Sequence, residues 1–100
     1  MRFEWDEEKN QKNIRKHKVS FDEAKTVFYD DNAYCEYDEE HSIDEDRFKM
    51  IGMSYKDRAL VVSHCIRYDD VIRIITARAV DEDEKILYFK KIGGKSNGNR

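Results

Sequence analysis

The chain has 100 residues, 39% of them hydrophobic and 41% charged, with a formal net charge of −3. A chain this short sustains one domain around one modest core, which excludes a multidomain enzyme. Its apolar fraction suffices for folding while its charged fraction leaves little beyond a single core layer, so a small, soluble, heavily hydrated protein is expected.

Met1 to Trp5 alternates Phe3 and Trp5 against Arg2 and Glu4, the pattern of a short half-buried strand. Asp6 is placed to cap a helix running to about His17, with Glu7 and Glu8 in its first turn and Lys16, His17 and Lys18 near its end, as the helix dipole favours. One face of that helix carries Asn10, Asn13, Ile14 and His17. So polar a face must be held by tertiary contacts or by a partner. Ser20 and Glu23 form a capping box, with Val19 and Ala24 as its hydrophobic staple. The helix they start has Phe21, Ala24, Val27 and Phe28 as its apolar stripe and ends around Asp30-Asp31-Asn32.

From Ala33 the period changes from helical to alternating, and strands are expected at Ala33–Tyr37, Arg47–Ser54, Ala59–Ile66 and Val71–Ala79. Tyr55-Lys56-Asp57-Arg58 reads as a hairpin turn and Arg67-Tyr68-Asp69-Asp70 as another. Ala59–Ile66 is apolar on both phases, as a central strand would be. Asp81 and Glu84 cap a last helix, whose Ile86, Leu87 and Phe89 are expected to reach the sheet before Gly93-Gly94 stops it. The order β-α-α-β-β-β-β-α predicts an α+β fold, an antiparallel sheet with its helices on one face. Residues 1–92 form the single domain, and 93–100 a flexible C-terminal tail.

Charge is polarised along the chain. Residues 1–46 hold 15 acidic and 7 basic side chains, a balance of −8, and residues 47–100 hold 7 acidic and 12 basic, a balance of +5. Nine carboxylates and no Lys or Arg lie between Asp30 and Asp46, a poor surface for a polyanion. Arg47, Lys49, Arg67, Arg73 and Arg78 fall on or beside strand-like segments of the second half and could form a phosphate footprint. An acidic loop and a basic sheet that merely attract each other would give the same pattern.

Several chemistries find no support. His17, His41 and His64 lie on separate segments without metal-ligand spacing, and no glycine loop is placed to cradle a phosphate, so neither a metal nor a nucleotide cofactor is expected. Cys35 and Cys65 read as free thiols. Ser63-His64-Cys65 cannot be a catalytic unit, because strand neighbours point to opposite faces. His64 shares its phase with Leu60, Val62 and Ile66, so it is either a core histidine or a functional one at the edge of an apolar face. Arg73 and Arg78, five residues apart, converge only where a bulge or a strand end intervenes. The chain lacks a signal-peptide stretch and a bilayer-length apolar run, so a cytoplasmic location with no membrane partner is expected.

The run F-E-W-D-E-E-K-N-Q-K-N-I-R-K-H-K-V-S-F-D-E-A, Phe3 to Ala24, together with I-R-I-I-T-A-R-A, Ile72 to Ala79, resembles the BrnT toxins of bacterial type II toxin–antitoxin systems. The matching positions are Trp5, Asp6, Lys9, Asn13, Lys16, His17, Ser20, Phe21, Glu23, Arg73, Ala77 and Arg78. Lys18 stands where a glycine is common and Thr76 where a serine is common. The resemblance implies a RelE-like fold, metal-independent endoribonuclease activity that arrests growth, and neutralisation by a BrnA-like ribbon-helix-helix antitoxin. It further implies that operator DNA is reached only through that antitoxin.

Metal-free RNA cleavage needs a 2′-hydroxyl attacking its neighbouring phosphate, proton transfer, and cations for the charge that builds up. The candidates are Arg73 and Arg78 on the scissile phosphate and His64 or His17 for proton transfer, with Lys9, Lys16, Arg47, Lys49 and Arg67 positioning RNA. The alternative is a catalytically inactive module that binds the antitoxin and tunes repression.

Overall fold

The structure is a computed structural model that describes residues 1–98, and of residues 94–98 the backbone alone. Its elements are β1 (Arg2–Glu4), α1 (Glu7–His17), α2 (Phe21–Thr26), β2 (Tyr34–Tyr37), β3 (Phe48–Met53), β4 (Ala59–Ile66), β5 (Val71–Ala79) and α3 (Glu82–Gly98). Short 3₁₀ turns occupy Val27–Tyr29 and Tyr68–Asp70. The α+β order is the one the periodicity predicts.

The sheet runs β1-β5-β4-β3-β2. Strands β2 to β5 form the expected antiparallel meander. β1, however, pairs with β5 in parallel, Phe3 lying opposite Ile72, so the sheet is mixed rather than wholly antiparallel. Alternation in a sequence carries no direction. Here the helix pair returns the chain to the far edge, and four antiparallel strands then bring β5 back to β1 pointing the same way.

Asp6 caps α1 by accepting from the backbone N–H groups of Glu8 and Lys9. The polar face of this helix is explained by two buried asparagines. Asn10 accepts from the Phe21 N–H at 2.8 Å. Asn13 donates to the carbonyls of Val19 and Ala77, each at 2.8 Å, and accepts from the Ala77 N–H at 3.1 Å. Because β1 covers β5 only from Val71 to Arg73, the rest of that edge needs other partners, and the Asn13 carboxamide serves as one.

Only half of the capping box at the start of α2 forms. Ser20 accepts from the Glu23 N–H at 3.0 Å, but the buried Glu23 carboxylate accepts from Ser54 at 2.7 Å and pairs with Arg58. Burial alone would raise the Glu23 carboxyl, and the hydrogen bonds from Arg58 and Ser54 with the Arg58 charge outweigh it and hold it below its ordinary range.

Val19, Phe21, Ala24 and Val27 pack on Leu60, Val62, Ile74 and Ala77 to form the main core. The opposite face of the sheet presents Ile51 and Val61 to Tyr88 of α3. The helices therefore do not all share one face: α1 and α2 cover one, and α3 covers part of the other. Because β4 is apolar on both phases, both faces can take a helix.

Glu84 and Asp81 exchange backbone N–H bonds at 2.7 and 2.8 Å, the expected cap of α3. Among the described side chains of this helix Tyr88 is the buried one, whereas Ile86, Leu87 and Phe89 remain exposed instead of reaching the sheet. The cap, and an ion pair from Glu84 to the sheet described below, turn positions 84, 88 and 92 inward. The helix continues past Gly93-Gly94, which lower helix propensity without forbidding a helix. Asn99 and Arg100, the end of the tail expected from sequence, lie outside the described residues.

Candidate active site

One extra residue in β5 sets the geometry. Ser63 lies opposite Thr76 and His64 opposite Ile74, so Ile75 is a bulge. On either side of it Arg73 faces Cys65 and Arg78 faces Val61. Opposed residues share a face, so the bulge puts both arginines on the side that carries α3.

α3 covers only the Ile51–Val61 end of that face and leaves Lys49, Ser63 and Thr76 open. The segment between β2 and β3 folds back over the opening. Asp38 N–H donates to the Arg47 carbonyl at 2.8 Å, the Ser42 hydroxyl donates to the Asp38 carbonyl at 2.6 Å, and Arg47 N–H donates to the Ser42 hydroxyl at 2.8 Å. His17 arrives from the end of α1.

The result is a cleft of about 300 Å³ lined by His17, Lys49, Ser63, Ile75, Thr76 and Arg78, with Asp38, His41 and Arg47 from the folded-back loop. A neighbouring groove of about 370 Å³ carries Lys9, Lys12 and Lys16, and meets the cleft at His17, Ile75 and Thr76. Cations thus run from the exposed side of α1 into the cleft.

Arg78 forms a two-pronged pair with Glu84, Nη1 to Oε1 at 2.8 Å and Nη2 to Oε2 at 2.9 Å, and also donates to the Ala79 carbonyl. These bonds occupy three of the five N–H donors of a guanidinium. The hydrogen bonds it donates to Glu84 raise Arg78 above its already high value, and the same bonds lower Glu84, so both stay charged. Arg47 differs. Its buried Nε has no hydrogen-bond partner among the described residues. A buried donor without an acceptor is costly, and this one belongs to a guanidinium lining the same cleft as Lys49 and Arg78. Such a cluster suits a ligand that brings negative oxygens, and a phosphodiester does so.

Of the residues singled out from sequence, the cleft brings together His17, Arg47, Lys49 and Arg78, and the groove holds Lys9 and Lys16. Arg73 shares the sheet face but is paired with Glu4 at 2.8 Å, and Arg67 is paired with Glu45 at 3.7 Å; neither lines the cleft. His64 is not brought to it at all. It is 3% exposed, on the α2 side of the sheet, 4.8 Å from the Phe28 ring and 5.9 Å from that of Phe48. Burial pushes its imidazole below the ordinary histidine range. Asp38, His41, Ser63, Thr76 and Lys12 went unselected as site residues. For His41 the available signal was its place three residues after Asp38, hidden in a stretch that reads as solvated acid.

The family pattern described as "Ribonuclease toxin, BrnT, of type II toxin-antitoxin system" matches residues 5–84. The chain belongs to the BrnT family of ribonuclease toxins. Among solved structures it is similar to the ribonuclease toxin BrnT of Brucella abortus, with a TM-score of 0.63 and 23% identity over 82% of this chain and 99% of that one. At that identity the likeness speaks for a shared fold. No curated protein sequence matches.

The positions that carry the BrnT resemblance divide by their surroundings. Asn13 and Ala77 bond to each other, Phe21 is in the core, and Trp5 packs against it with ring centroids 6.0 Å apart. Lys9, Lys16, His17 and Arg78 line the groove and cleft. Membership of a type II system implies an antitoxin partner. Among the described residues no helix is long and apolar enough to cross a membrane.

Proposed function

We propose that the chain is an endoribonuclease whose active site is the cleft between the end of α1, the Asp38–Arg47 loop and the bulged part of β5. The observation that carries this reading is the convergence there of Arg47, Lys49 and Arg78 with His17, the Arg47 Nε being buried and without a hydrogen-bond partner among the described residues. RNA enters along Lys9 and Lys16, and Arg47, Lys49 and Arg78 hold the scissile phosphate. As the 2′-hydroxyl attacks, these fixed cations meet the charge that grows on the phosphoryl oxygens, without a metal. His17 takes part in the proton transfers. Arg73 and Arg67, engaged with carboxylates, extend the basic track outside the cleft, and His64 has no part in it. The enzyme works in the cytoplasm, where a BrnA-like ribbon-helix-helix antitoxin neutralises it and the pair represses its own operon.

Growth of bacteria under induced expression tests this reading. Wild type arrests growth, arrest is lifted by co-expression of the adjacent small open reading frame, and Arg78→Ala is harmless while well expressed and folded. An equally toxic Arg78→Ala would overturn it. The alternative, an inactive antitoxin-binding module, has the two-pronged Glu84 pairing of Arg78 in its favour; normal growth with abundant wild-type protein would establish it.

A further inference from the structure

We propose that His41, oriented by Asp38, is the general base of the cleft. The inference rests on the ribonuclease reading above and goes beyond it by naming the group that starts the reaction.

The Asp38 side chain is 6% exposed, and its Oδ2 lies 2.8 Å from His41 Nδ1. A carboxylate only accepts, so Nδ1 carries the proton, and in the neutral ring Nε2 is left with a lone pair. The ring lines the cleft beside Arg47, Lys49 and Arg78, and with its side chain 56% exposed it is open to a ligand. A buried aspartate that fixes the tautomer of a half-open histidine is the arrangement a base requires.

The plainer reading is that Asp38 and His41 staple the loop. That task is already done. The Asp38 N–H bond to the Arg47 carbonyl closes the loop, and the Ser42 hydroxyl ties the Asp38 carbonyl to the Arg47 N–H. His41 adds no backbone closure, so the fold gives little reason to bury a carboxylate against it. His41 is also set apart from the other histidines. His17 lines the cleft without a side-chain hydrogen bond among the described residues, and His64 lies on the other face of the sheet.

In the step that follows, His41 Nε2 accepts the proton of the 2′-hydroxyl and the 2′-oxygen bonds to phosphorus. The P–O5′ bond breaks, and the 5′-oxygen leaves with its electron pair and takes a proton from His17 in its imidazolium form. The products are a 2′,3′-cyclic phosphate and a 5′-hydroxyl. Asp38, a positioning residue, stabilises the imidazolium that forms on His41.

The test uses the purified full chain and a mixed-sequence single-stranded oligoribonucleotide in EDTA. His41→Gln is expected to lower kcat by about 10²–10³-fold with KM and the thermal midpoint unchanged, and to remove one ionisation from the pH profile of kcat/KM. His41→Gly is expected to regain activity with added imidazole. Asp38→Asn is expected to lower kcat roughly tenfold, again without moving KM. Cleavage by His41→Gln within about twofold of wild type overturns the proposal, as does a loss that appears in KM and is not restored by imidazole. If in addition Arg47→Ala is inactive, the ribonuclease reading stands and only the base is wrong. A wild-type protein that cuts nothing removes the ribonuclease reading and this inference with it.

Discussion

At Lys18 the backbone takes φ 60° and ψ 31°, closing α1 with its N–H donating to the Ile14 carbonyl. This left-handed conformation costs a side chain about 1 kcal/mol, and glycine nothing comparable. Lys18→Gly should therefore raise stability by about 1 kcal/mol, read as an upward shift of the urea midpoint. His64 makes the opposite kind of prediction. Its folded pKa lies below the ordinary 6.5 because it is buried, so on acidification the unfolded chain binds that proton first. The stability it contributes is full above pH 6.5 and falls as pH drops through that value. His64→Leu should weaken the loss of stability between pH 7 and pH 5 while leaving RNA cleavage at the wild-type rate. A variant that folds but no longer cuts would return His64 to the active site.

The attachment of α1 shows why elements were easier to read than their arrangement. β4 and β5 occupy the spans expected of them, Ala59–Ile66 and Val71–Ala79, because an apolar run on both phases in β4 and period-two burial in β5 are written directly in the residues. The bulge at Ile75 was legible only as a condition on Arg73 and Arg78, since one more apolar residue in an apolar strand leaves no mark. The parallel direction of β1 left none either. The polar face of α1 was visible as an anomaly, and its cause required the fold: Asn10 and Asn13 replace an apolar stripe with bonds to the backbone of neighbouring elements. Asn13→Ala would leave the Ala77 N–H and the carbonyls of Val19 and Ala77 without that partner, a loss of about 3 kcal/mol. Chemical denaturation checks it, and a variant as stable as wild type would mean that α1 is held by packing alone.

Across the whole molecule, the two faces of the sheet have separate tasks. One is closed by α1 and α2 over the main core, and the other is covered at one end by α3 and left open at the cleft. Charge polarisation along the sequence becomes short-range pairing in part, as in Arg73 with Glu4 and Arg67 with Glu45. Arg47 and Lys49 form no ion pair among the described residues, which leaves their charge to the cleft. The site draws on α1, the Asp38–Arg47 loop and strands β3 to β5, stretches that no local motif unites. In the sequence its cations therefore stand as separate residues, and His41 is hidden in an acidic loop that reads as solvent-facing.

The most direct measurement is cleavage of an oligoribonucleotide in EDTA, set beside the same strand with a single 2′-deoxy sugar at the mapped cut, for wild type and Arg47→Ala. Wild type should cut the all-ribo strand to a 2′,3′-cyclic phosphate and spare the deoxy position, and Arg47→Ala should be slower by about 10²–10³-fold with its fold intact. Cutting at the deoxy position, a dependence on added metal, or full activity in Arg47→Ala would contradict this account of the cleft.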